Sequence, residues 1–169
     1  MTEIYVIRAI LDADEDVIRD VAIEGSSTLF DLHLLMVEAF DLDKGEMSSF
    51  FKSNDEWDQG EEISMMDFNP ATGKNPLDEM LVEKAFTEEG TRMLFAYDYM
   101  NLWTFYLEAT EIKEPVEGKS YPAVIGAVGQ RPKQAPQKEM RAEGPDDDIY
   151  NLDDDMDIAD EEDDNDLWL

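Results

Sequence analysis

His33 is the only histidine in the chain, and there is no cysteine to accompany it. Tetrahedral zinc needs several His or Cys ligands, so the usual zinc sites cannot be built. Disulfides and thiolate chemistry are excluded by the same count. A Ser–His–acid triad requires a serine in a recognisable elbow, and the sequence holds none. His33 falls one turn after Leu29 and one turn before Val37, at the edge of an apolar helical stripe. A buried histidine hydrogen-bonded to backbone is expected there, ahead of a ligand or a general base.

Asp12, Asp14 and Asp16 alternate like the opening of a calcium loop. Its sixth position is Val17 where glycine is required, and its twelfth is Ile23 where glutamate is required. A solvated turn is therefore the favoured reading. Carboxylate pairs for acid–base work could be drawn almost anywhere among 43 acids, so their presence is uninformative. No glycine-rich loop follows a strand, which leaves nucleotide binding unsupported, and no cofactor is expected. Arg19 and Asp98 stand in runs that otherwise read as apolar strands. An ion pair or a solvent-facing placement is favoured for each over ligand binding. Asn101 lies in a turn beside Asp98, while Trp103, Phe105 and Tyr106 are expected to fill the core.

These residues depend on a small set of elements. Residues 3–11 and 17–23 read as two β-branched strands joined by a polar turn. Thr28 opens a helix, with Asp31 placed to complete its cap, and Gly45 is read as its end. Leu29, Leu32, Met36, Val37 and Phe40 share one face of that helix, and Leu34 lies nearer the outer face. A strand over 47–52 precedes an irregular stretch, 54–76, with Trp57 and Ile63 as inward anchors. A short helix over 77–86 is broken by Gly90. Strands over 91–99 and 102–112 then form a tight hairpin about Met100 and Asn101. The order predicts an α+β fold, a mixed sheet with one main helix packed across it, β-grasp-like in arrangement.

Charge divides the chain. Residues 1–128 hold nine Lys and Arg against 28 Asp and Glu; residues 129–144 hold four against two; residues 145–169 hold none against thirteen. The first segment reads as the folded domain and the second as a Pro/Gln/Lys linker. The third reads as a disordered acidic tail, too charged to fold alone. A net charge of −30 repels phosphate backbones, so direct nucleic-acid binding is not expected. A basic protein is the complementary partner. In the tail, Trp168 between Leu167 and Leu169 could anchor such a contact. No apolar run is long enough for a membrane span, and the first residues lack a basic leader, so a cytoplasmic location is expected. Oligomeric state is left open.

The run VIRDVAIEGSSTLFDLHLLMVEAF resembles the start of the plasmid pRi Orf3-like family, a bacterial and archaeal family of unknown function. The likeness runs through Thr28, Leu29, Leu32 and His33 to Phe50. It resumes at Tyr97-Asp98-Tyr99 and Trp103, and closes at Tyr121-Pro122. Several positions of the pattern are missing: Ile18 and Asp20 replace a Trp and an Arg, and Glu46–Phe50 lacks two histidines. The resemblance implies the fold and no known activity; any shared chemical site is lost here. Two readings follow. One is a non-enzymatic binding domain with an acidic tail. The other is an enzyme with a small-molecule site near Arg19, His33 and Asp98, which a concave pocket holding all three would favour.

Overall fold

The computed structural model describes residues 2–135. Its seven strands are β1 (Ile4–Leu11), β2 (Ile18–Glu24), β3 (Ser48–Lys52), β4 (Glu62–Ser64), β5 (Arg92–Tyr97), β6 (Trp103–Lys113) and β7 (Ala123–Val128). One long helix, α1 (Leu29–Phe40), is joined by two single-turn helices, α2 (Pro76–Glu79) and α3 (Val82–Ala85). The strands form one sheet in the order β4-β3-β5-β6-β1-β2-β7.

Every pairing in that sheet is antiparallel, so the mixed sheet expected from the sequence is corrected. The reason lies in β6. Antiparallel to both its neighbours, it separates β1 and β5, which run in the same direction and never pair. A grasp-like arrangement would have needed a parallel pair at that point.

Helix α1 begins where the sequence signals it. The Asp31 amide donates to Thr28 Oγ1 at 3.1 Å, and the Thr28 amide donates to Asp31 Oδ2 at 3.0 Å. Each side chain thus satisfies an amide that the first turn leaves without a helical partner. The helix ends at Phe40 rather than at Gly45. Asp41 turns left-handed (φ 54°), and its amide returns to the Glu38 and Val37 carbonyls. Leu29, Leu32, Leu35, Met36, Val37 and Phe40 are buried, and Leu34 is exposed. Alternation along the strands supplies the facing layer, including Ile7, Val21, Phe50, Phe95, Phe105 and Leu107. Its centre is aromatic, with Phe40–Phe105 and Phe50–Phe95 centroids 4.6 and 4.7 Å apart.

Ile63 packs against this core, but Trp57 does not join it. Trp57 lies 5.1 Å from the ring of Tyr106, which alternates with core-facing Phe105 and Leu107 and so faces the other side of the sheet. The Arg92 guanidinium caps the indole at 4.6 Å. Asn54 sets this placement: its Oδ1 accepts from the Glu56 and Asp58 amides, winding the loop so that Trp57 is left-handed (φ 62°).

The tight hairpin expected about Met100 and Asn101 is a five-residue loop, 98–102, closed by the Tyr97↔Trp103 pair. Asp98 and Leu102 are both left-handed, and the loop holds three residues more than the expected pair. Strand β7 has no counterpart in the sequence expectation. It is an edge strand lying beyond the core, and its apolar residues do not alternate with polar ones. Beyond it, Ala135 packs on the core.

Candidate functional site

His33 projects from the buried face of α1. Its Nδ1 lies 2.6 Å from the Ser48 hydroxyl, so its partner is a side chain rather than the expected backbone group. Its ring stacks on Phe30 at 5.3 Å and meets Tyr97 at 5.3 Å and the edge of Phe95 at 6.1 Å. Burial among these rings disfavours the imidazolium and lowers the pKa from 6.5 to about 4. At neutral pH the ring is uncharged.

That shift makes stability depend on pH. Between pH 6.5 and about 4 the unfolded chain binds a proton that the folded chain excludes. Stability therefore falls as the pH drops through this window, by of order 3 kcal/mol in all, and the loss levels off below it. Acid titration of unfolding free energy for the wild type and His33→Leu checks this. The variant is expected to be flatter between pH 6 and 4.5, and superimposable slopes would exclude His33 as the cause.

Asp98 is buried at the end of β5 and is engaged by its own turn. Its carboxylate accepts from the Met100 amide at 3.1 Å and from the Asn101 side-chain amide at 2.6 Å. The Asn101 and Leu102 amides donate to the Asp98 carbonyl. Asp98 and Asn101 are thus brought together as a loop clasp. Trp103 is buried at the base of that loop, with the Arg131 guanidinium 5.3 Å over its ring. Arg131 also donates to the Asp41 carbonyl at 2.8 Å, beside the end of α1.

Among the described residues Arg19 makes no ion pair. Its Nε donates to the Ala39 carbonyl at 2.9 Å, and its Nη1 donates to the carbonyls of Ile18 and Val128 at 2.9 and 3.1 Å. The guanidinium lies 5.2 Å over the Phe40 ring. A cation at the C-terminal turn of α1 satisfies a carbonyl there and complements the negative end of the helix. Trp168 lies outside the described residues.

One polar cluster has no counterpart among the sequence candidates. Ser49 and Ser64 are paired across β3 and β4, so both hydroxyls face the same way. Tyr99 Oη lies 2.6 Å from Ser49 Oγ and 3.0 Å from Ser64 Oγ. Ser49 donates onward to Glu62 at 2.7 Å. Ser64 accepts the Met66 amide, so one consistent order runs from Ser64 through Tyr99 and Ser49 to the Glu62 carboxylate. The signal was the Ser48-Ser49 pair inside an apolar strand, which only cross-strand register turns into a network.

Clefts among the described residues include two on the surface. One, of about 330 Å³, lies between the β1–β2 turn, with Ala13, Asp14, Glu15 and Val17, and Gln130, Pro132 and Gln134. The other, of about 380 Å³, is lined by Ser53–Asp55 and Glu88–Arg92. Arg19, His33 and Asp98 line neither. Among the described residues no three His, Asp or Glu side chains are grouped as a metal site would require. No described helix is long and apolar enough to cross a membrane.

No curated protein matches this sequence. In fold the chain is similar to the crystal structure of a protein of unknown function from Methanosarcina mazei Go1, with a TM-score of 0.60. The likeness covers 75% of this chain and 70% of that one at 15% identity, and it speaks for the fold alone. The family model described as plasmid pRiA4b ORF-3-like protein matches residues 3–137, from the first strand to just beyond the segment that carries Arg131. The chain belongs to the plasmid pRiA4b ORF-3-like family.

Proposed function

We propose that this protein is a non-enzymatic interaction domain whose acidic C-terminal segment engages a basic partner protein. The observation that carries this reading is how Arg19, His33 and Asp98 are held. Backbone carbonyls, a serine hydroxyl and turn amides are their respective partners, and those bonds maintain the fold. The enzymatic alternative, a small-molecule site near the three, would need them to face one concavity. Residues 145–169 supply the contact chemistry: thirteen acids, no Lys or Arg, and Trp168 between two leucines. Aspartates speed encounter with a basic surface, and a large aromatic anchors in a pocket. A cytoplasmic setting fits the cysteine-free composition.

Affinity capture from the source organism tests the reading, using full-length protein, Trp168→Ala and a deletion of 145–169. Basic proteins are expected with the full chain, fewer with Trp168→Ala and none with the deletion, and capture should weaken with salt. Equal recovery by all three would overturn the reading. Loss in the deletion alone would assign the contact to charge and remove Trp168 from it. An unchanged thermal transition in the deletion separates lost binding from lost folding.

A further inference from the structure

The two edges of the sheet differ. Strand β4 has three residues, begins at Glu62 and runs directly into a 3₁₀ turn, Met65–Asp67. Short length and charge are common ways of blocking a sheet edge from further pairing. Strand β7 is twice as long, reads Ala-Val-Ile-Gly-Ala-Val, and carries no charged residue. Among the described residues it pairs with β2 alone. Val124, Ile125 and Val128 are 41, 50 and 55% exposed. Its one irregularity is a register shift opposite Asp20 and Val21, which leaves Ile125 without a partner in β2.

The segment that holds β7 is as unusual in charge as in its apolar surface, and the Asp20 carboxylate beside Gly126 is engaged by Arg8. Between Glu117 and Glu139 the sequence has no acidic residue, although the chain carries 43. Lys119, Arg131, Lys133 and Lys138 fall in that interval. Two copies of a chain with a net charge of −30 repel each other almost anywhere they touch. At β7 they can meet without setting one carboxylate of this segment against another.

From this edge we infer that β7 is a self-association surface, pairing antiparallel with β7 of a second copy across a two-fold axis. Such an axis uses the same patch twice, and antiparallel edge strands satisfy that symmetry. Placed near Gly126, it puts the residue without a side chain at the crossing. Edge N–H and C=O groups that have no strand partner among the described residues gain one, and the two sheets become one of fourteen strands. A single six-residue pairing covers less than a standard interface, so the dimer is weak and dissociates on dilution.

Sedimentation of the full chain at about 0.15 M salt, where the Debye length is ~8 Å, tests this up to roughly 1 mM protein. The mass is expected to rise from 19.4 kDa toward twice that value with concentration. Ile125→Glu, which brings two carboxylates close to the axis, is expected to remain monomeric with an unchanged melting transition. Leu34→Glu adds the same charge at an equally exposed position on α1 and is expected to dimerise like the wild type. A wild type that stays monomeric throughout, or an Ile125→Glu variant that still dimerises, would overturn the inference. Because no basic partner is present, either result leaves the acidic-segment reading to its own test.

Discussion

Leu32→Ala is expected to lower the unfolding free energy by about 2–5 kcal/mol, and Leu34→Ala by less than ~1 kcal/mol. The two leucines are two positions apart on α1. Leu32 is fully buried between the helix and the sheet, whereas Leu34 is half exposed. Truncating Leu32 removes apolar contact and opens a cavity that rigid strands cannot close. Truncating Leu34 removes contacts that water already replaces in part. Met36→Ala belongs with Leu32, since it occupies the same face and is equally buried. Urea denaturation with unchanged slopes measures the differences. Comparable losses at Leu32 and Leu34 would mean that the outer face of α1 is covered in solution.

Arg19→Ala is expected to cost roughly 2–3 kcal/mol, the scale of hydrogen bonds from a charged donor. The side chain joins three parts of the fold: its own strand, the last turn of α1 through Ala39, and the end of β7 through Val128. Arg19→Lys keeps the charge but cannot reproduce the planar fork or its stacking on Phe40, so it should recover only part of the loss. Chemical denaturation of both variants reads the difference. Full recovery by lysine would reduce the role of Arg19 to its charge.

Local signals in the sequence were enough for the start and the buried face of α1, though not for its end at Phe40. Thr28 and Asp31 carry the cap within four residues, and the spacing from Leu29 to Phe40 places the apolar face, because both depend on neighbours along one helix. Strands β1, β2, β3, β5 and β6 were legible for a similar reason, since each has its own run of apolar residues, and the acidic stretch 12–16 marked the turn between the first two. The family pattern was legible too, in the order of Thr28, Leu29, Leu32, His33, the Tyr97-Asp98-Tyr99 run and Trp103.

Tertiary structure decided what depends on distant partners. Whether the sheet is mixed or antiparallel rests on β6 lying between β1 and β5, and no local pattern encodes that order. Strand β7 exists because β2 offers a free edge, and its own residues carry no alternation by which to read it. Trp57 looks like any core tryptophan until Asn54 winds its loop onto the far side of the sheet. For the candidate residues the division is the same. Sequence marks Arg19, His33 and Asp98 as polar groups in apolar company, but their bonding partners come from other elements or from a loop whose closure depends on β5 and β6 pairing. A side chain's chemistry is local, whereas its burial and partners are set by what the fold brings to it.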